Sequence, residues 1–303
     1  MRFETRYTYD FIKRFLPPGC HRILEVGCGE GEVAACLTQD GYAVIVIDSD
    51  RHSVAAARQL GVDARVATWP DFGDGHFDAV LFIRSLHHIH PLDESIRHAA
   101  TGLVEGGLII VEDFAYESTD EKTLCWFSSA IRLIEATGLL VVSDEFQHKV
   151  LSKTETLKAW RQSHEEELHT AAEIGAHLKK VSRRVIRENA AYYFRYIASA
   201  ITAVEKRDAI LQAFAEQDVI PLRTARLMDL AGGLSRRQLD NCEKSVAAQS
   251  ASRYFSIQFF ASLEKWIGAR NPVRIGSSCA AVTGYNFPWA NRSVRGQQVC
   301  NLL

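Results

Sequence analysis

Residues 23–37, ILEVGCGEGEVAACL, constrain the fold of this chain more than any other stretch. Ile23, Leu24 and Val26 form a short apolar run that stops at glycine, the pattern of a strand buried on both faces. Gly27, Gly29 and Gly31 follow, and then Val33, Ala34 and Leu37 recur at helical spacing. Glycines at a strand-to-helix turn let the backbone take positive φ and let a ligand approach without meeting a Cβ. The helix start behind them offers unpaired N–H groups to a polar or anionic ligand edge. A chain built around this unit is expected to be α/β, with further strands laid parallel to the first.

The acids around the turn narrow the ligand. A dinucleotide fingerprint reads G-x-G-x-x-G around a pyrophosphate. This chain reads E-x-G-x-G-x-G, through Glu25, Gly27, Gly29 and Gly31, with Glu32 directly after. An acid in the first helical turn repels a diphosphate, whereas Glu25 can accept from an ammonium group. A zwitterionic amino-acid moiety therefore suits the turn better. The pattern resembles motif I of the class I S-adenosylmethionine (SAM) methyltransferases, of the small-molecule kind (methyltransferase type 11 or 12).

The rest of the first half agrees in order with that family. Residues 42–47, YAVIVI, read as a second buried strand ending at Asp48, which lies 21 positions beyond Gly27, where this architecture binds a ribose diol. A helix over 53–60 and a strand over 64–67 follow, and then Thr68, Trp69, Pro70 and Asp71. The resemblance places Thr68 and Trp69 against an adenine, although Trp69 also suits a core position. Residues 77–83, FDAVLFI, make a fourth strand that runs into Arg84-Ser85-Leu86-His87-His88-Ile89-His90. Open parallel sheets bind ligands beyond the carboxyl ends of their strands, so this loop is expected at the site. A helix over 91–103, a Glu105-Gly106-Gly107 turn and a strand over 108–111 ending at Glu112-Asp113 complete motifs IV to VI.

The resemblance covers about residues 1–234. It implies a Rossmann-like, doubly wound, seven-stranded sheet with a helical lid inserted over about 118–181. Strands six and seven fall in 185–198 and 220–230 and flank a helix over 201–217; an amphipathic helix over 8–16 precedes the first strand. The implied cofactor is SAM, held by Glu25, Gly27, Cys28, Gly29, Gly31, Asp48, Ser49, Thr68, Trp69 and Arg84. Methyl transfer needs a general base only where the acceptor must lose a proton, and His87, His88 and Asp113 are the candidates.

Other signals mostly exclude. A net charge of −2 gives no global pull toward nucleic acid, and the loop after strand four lacks the [DNS]-P-P-[YF] signature of base methylation, so a small-molecule acceptor is expected. Seven scattered cysteines without a C-x-x-C pair argue against zinc knuckles or a disulfide framework and for a reducing cytoplasm. His87, His88 and His90 lack partners at ligand spacing, and His164 and His169 are five apart rather than four, so no metal is expected. No apolar run reaches the roughly 18 residues of a membrane span, and the opening MRFETRYTYDFIKRFL has no apolar signal core. Residues 235–303 hold nine Lys/Arg against three Asp/Glu and lose the pattern, so they are expected to form an atypical tail outside the domain. Two readings compete with a methyltransferase: a SAM-binding protein without turnover, and a dinucleotide-dependent oxidoreductase.

Overall fold

A computed structural model of the chain describes residues 1–142, 147–149, 157–165, 168–217 and 224–230. They lie within the first of two compact units, Met1–Gln249; the second is Ser250–Leu303. The domain boundary expected near residue 234 and the tail after it fall outside the described residues.

Five strands form the expected parallel sheet. They are β1 (Arg22–Val26), β2 (Ala43–Asp48), β3 (Asp63–Val66), β4 (Phe77–Ile83) and β5 (Leu103–Asp113), ordered β3-β2-β1-β4-β5. β1 and β4 lie side by side at the centre, so their residues are apolar almost without interruption, and Ala79 to Phe82 are fully buried. Beyond β5 lie β7 (Thr224–Leu230) and β6 (Val185–Ala190), with β7 antiparallel to both neighbours.

Helices cover both faces. α1 (Phe3–Phe15), α2 (Glu32–Gln39) and α3 (Arg51–Gln59) pack on one side, where Phe11, Ile12, Leu37 and Val54 meet Ile23 and Leu81. On the other side α4 (Leu92–Thr101) and a later helix, Ala171–Val181, bury Ile96, Ile174 and Leu178 against Leu24, Val80 and Phe82. Between these helices the chain forms α5 (Glu121–Ala136) and α6 (Leu157–Glu165), which makes Ala171–Val181 α7. A third, strongly aromatic cluster joins Phe114, Phe127, Trp160, Tyr193 and Phe194, and Phe3 of α1 reaches it. Two helices follow β6: the single turn α8 (Phe194–Ile197) and α9 (Val204–Gln217).

Four expected boundaries are corrected. α1 begins five residues early, because its first turn buries Phe3 edge-on against Phe194 at 5.1 Å. Glu105-Gly106-Gly107 lies inside β5 rather than closing a turn; pairing with β4 jumps from Leu103 to Leu108, and the irregularity absorbs the glycines. Among its described residues, the helical insertion expected over about 118–181 divides into α5, α6 and α7, with Thr170 and Glu173 forming a capping box at the start of α7. The strand expected over 185–198 stops at Ala190, since Tyr193, Phe194 and Ile197 bury together as one helical turn, a spacing no strand face provides.

Candidate active site

At the carboxyl ends of β1, β2 and β4 lies a cavity of about 930 Å³, at the upper end of the range for small-molecule sites. Its floor is the glycine turn, and the three glycines do different work. A Cβ on Gly27 would stand 2.5 Å from the Ser85 Cβ, and one on Gly31 would stand 2.5 Å from the Ala57 Cβ. Both are packing requirements between elements. Gly29, at φ +50°, faces open space with nothing within 4 Å of its would-be Cβ, so it alone keeps the turn clear for a ligand.

Around the turn the acids are arranged unequally. Glu25 is 2% exposed, and its Oε2 has no hydrogen-bond partner. Burial pushes its carboxyl up to about 8, while the nearby Arg84 guanidinium works in the opposite direction. A buried carboxyl with an unused acceptor oxygen suits an ammonium group. Asp48 accepts from the Gly29 N–H at 3.3 Å and the Asp50 N–H at 2.9 Å, which aligns its carboxylate and leaves lone pairs suited to a diol. Glu32 is held by Arg2 and by Thr5, so the acid expected to repel phosphate also fastens α1 over the turn.

All ten residues expected to hold a cofactor line this one cavity: Glu25, Gly27, Cys28, Gly29, Gly31, Asp48, Ser49, Thr68, Trp69 and Arg84. Their settings differ. The Trp69 indole is 7% exposed, packs edge-on to Phe82 and donates to the Ser95 carbonyl at 3.3 Å, so it is a core residue that also forms wall. Cys28 is buried, which pushes its thiol up to about 12 and keeps it protonated. Arg84 has φ +54°, the one non-glycine positive φ among the described residues.

Of the three candidate bases, only His88 lines the cavity. Desolvation, reinforced by His87, holds its pKa below the usual histidine range, so the ring is neutral and able to take a proton. His87 and Asp113 bond to each other through Nδ1, and Asp113 also accepts from the His87 backbone N–H at 3.0 Å. That pair pins the loop carrying His88. The His169 N–H donates to the His87 carbonyl at 2.9 Å from the far side. Among the described residues no group of His, Cys, Asp and Glu is placed to hold a metal ion.

Several wall residues have no motif in the sequence. Thr5 and Thr8 reach in from α1, and Tyr192 and Arg195 from the segment after β6. Arg195 donates to Glu112 at 2.6 Å and to Thr8 at 2.8 Å, and Thr8 donates to Glu112 at 3.1 Å. The available signals were the aromatic run at Tyr192, Tyr193, Phe194 and Tyr196, which suits either an acceptor pocket or the core, and the spacing of Thr5 and Thr8, two polar residues three apart on an otherwise apolar helix face.

Residues 2–185 match the family model described as a methyltransferase domain. The chain belongs to this methyltransferase family. The ubiquinone biosynthesis O-methyltransferase of Xanthomonas axonopodis pv. citri (strain 306) is 29% identical over 160 residues, covering 50% of this chain and 64% of that protein. The corresponding enzyme of Xanthomonas campestris pv. campestris (strain B100) is 30% identical over 169 residues, covering 52% and 68%. The methyltransferase domain thus spans about two thirds of the length of the curated relatives it matches. Among solved structures, the plantazolicin methyltransferase BpumL in complex with a monoazolic desmethylPZN analog and SAH aligns over 76% of this chain and 85% of that chain, at 13% identity and a TM-score of 0.48. Among the described residues no helix is long and apolar enough to cross a membrane.

Proposed function

We propose that this chain transfers the methyl group of SAM to a small-molecule acceptor in the cavity described above. The observation that carries the reading is the pairing of an open Gly29 with the unpartnered, buried Glu25 Oε2 on one wall. The residues fit the cofactor: Glu25 takes its ammonium, Asp48 its ribose hydroxyls, and Thr68 with the edge of Trp69 borders its base. Gly27, Cys28, Gly31 and Ser49 shape the turn beneath it, and Arg84 sits at the junction with the acceptor. When bound, SAM supplies a sulfonium methyl open to in-line displacement. The protein's part is alignment, which is worth roughly 7–11 kcal/mol when both reactants are held. His88 takes the acceptor's proton, and the His87–Asp113 pair keeps its loop in place.

The reading extends to the architecture. The full sheet is taken as the seven-stranded class I arrangement, residues 118–181 as a helical lid, 1–234 as the domain and 235–303 as a separate tail. A reducing cytoplasm suits the free thiols of Cys20, Cys28 and Cys36. Thermal stabilisation by SAM but not by NAD tests the cofactor. Release of S-adenosylhomocysteine on incubation with cell extract tests turnover; stabilisation by NAD alone would reverse the assignment.

A further inference from the structure

The end of the cavity bounded by α1 and the segment after β6 carries more positive charge than the proposed cofactor requires. Arg195, its side chain 10% exposed, is fixed by Glu112 at 2.6 Å and Thr8 at 2.8 Å. Arg84 points to the same two groups but is held loosely. It stands 3.4 Å from the Thr8 hydroxyl and 3.6 Å from the Glu112 carboxylate, with its side chain 34% exposed. Charge-assisted bonds run at about 2.7–2.9 Å. The flat guanidinium fork of Arg84 therefore keeps donors for something else, and that fork matches a carboxylate in two-point contact.

Backbone geometry supports the same conclusion independently. A φ of +54° at an arginine is costly, because its Cβ crowds the following carbonyl oxygen. The Arg84 N–H donates to the Glu112 carbonyl at 2.6 Å, which holds the residue in that conformation at the cavity edge. Strain of this kind is found where a side chain must be aimed at a ligand.

Charge is also polarised along the cavity. Glu25, Glu30, Glu32 and Asp48 surround the glycine turn and have Arg2 among them, the right field for a cationic cofactor. At the other end two guanidiniums share Glu112, and Glu4 is bound by Arg207 at 3.0 Å and through a second contact. The wall beside the guanidiniums is aromatic: Tyr192 lies flat on Phe114 at 4.3 Å, and the Arg195 guanidinium sits 5.8 Å from the Tyr192 ring.

We propose that Arg84, backed by Arg195 on the buried Glu112, binds a carboxylate carried by the methyl acceptor, whose planar body lies along Tyr192. The proposal rests on the methyltransferase reading. Thr8, Tyr192 and Arg195, from α1 and the segment after β6, lie outside the glycine turn, Asp48 and the turn at Thr68 that take the cofactor, whereas Arg84 follows β4 and stands near Glu25. The cofactor's own amino-acid carboxylate is the other source of the same chemistry, and the test separates them.

The full-length protein is saturated with S-adenosylhomocysteine and titrated by calorimetry with matched acids and methyl esters: benzoate, 4-hydroxybenzoate and indole-3-acetate against the ester of each. At least one acid should bind tenfold or more tightly than its ester. Arg84→Gln should abolish that preference while S-adenosylhomocysteine affinity stays within threefold. Because removing Arg195 alone strands Glu112, the double variant Glu112→Gln/Arg195→Gln replaces the pair by neutral amides, and it should reduce the preference as well. No preference for any acid in the wild-type protein overturns the proposal. So does an Arg84→Gln variant that loses tenfold in S-adenosylhomocysteine affinity but keeps the acid preference, since the carboxylate is then the cofactor's. Wild-type protein that does not bind S-adenosylhomocysteine overturns the methyltransferase reading itself, and this is seen before any acid is added.

Discussion

Replacing Glu25 by glutamine should make the protein without cofactor less sensitive to alkaline pH while weakening its hold on SAM. The folded protein lifts this carboxyl from an ordinary 4.5 to about 8, chiefly by burial. A folded-state pKa above the unfolded one means that the native state binds the extra proton. The stabilising contribution is therefore complete below about pH 4.5 and is lost as pH rises to about 8. At 1.36 kcal/mol per unit, the loss across that window is about 5 kcal/mol. For a domain of this size each kcal/mol moves Tm by about 2–4 °C, so the effect is on the order of 10 °C. Scanning fluorimetry of both proteins between pH 5 and pH 9 should show the wild-type Tm falling and the Glu25→Gln curve staying flatter, with the variant the more stable at pH 9. With SAM present the ammonium draws the carboxylate form, so wild-type binding near pH 7 should release a proton. Its calorimetric heat should then vary with the ionisation enthalpy of the buffer, and that of the variant should not. Parallel Tm curves for the two proteins would refute the reasoning, because a solvated or otherwise satisfied Glu25 predicts them.

The other predictions divide the site by role. Gly29→Val should fold, with some loss of stability from a strained positive φ, and lose SAM binding, since its side chain enters open cavity, whereas Gly31→Val should destabilise the protein further by also driving into Ala57; thermal melts with and without SAM distinguish the two. Asp48→Ala should cost roughly 1.5–3 kcal/mol of SAM affinity, about ten- to a hundredfold, and less for an analogue without ribose hydroxyls. His88→Ala should lower kcat by about 10²–10⁴ with SAM affinity unchanged, for an acceptor that loses a proton. In the wild-type protein the rate should hold through neutral pH and fall only as acid protonates His88 below the usual histidine range, a profile that stopped-time assays read directly. A chain ending near Ser235 should stay folded and bind SAM as well as the full protein; aggregation without SAM binding would make the following residues part of the domain.

Local signals carried the cofactor end and failed at the acceptor end. Ile23, Leu24 and Val26 before three glycines specify strand, turn and helix within a few residues, and Asp48 follows at a spacing set by one strand–helix–strand unit. Such features are short-range and leave a pattern. The Arg195–Glu112 pair joins residues 83 positions apart, and Thr8 meets Arg195 across 187. Nothing near any of them in sequence distinguishes an ion pair in a wall from a charge in solvent. Gly106 and Gly107 misled for a related reason: glycine marks a bulge inside a strand as readily as a turn. Tyr192, Tyr193, Phe194 and Tyr196 all have strand propensity, yet tertiary packing sets Phe194–Ile197 into a helical turn.

The placement of α1 has a consequence for the order in which the protein is built. It precedes every other described element in the chain, but the partners of its inner face come late: Thr8 bonds across 104 residues to Glu112, and the Tyr7 hydroxyl accepts from the Ala191 N–H across 184. Contacts of that separation pay a large loop-closure cost before they return anything. The central strands β1, β2 and β4, with their short crossovers, can pair well before that. Contacts formed after the rate-limiting step scarcely change how fast a chain folds and act instead on how slowly it opens. The wall that α1 closes is then a brake on unfolding: a helix that precedes the sheet in sequence is fastened after it, and its bonds to Glu112 and Ala191 set the lifetime of the closed cavity.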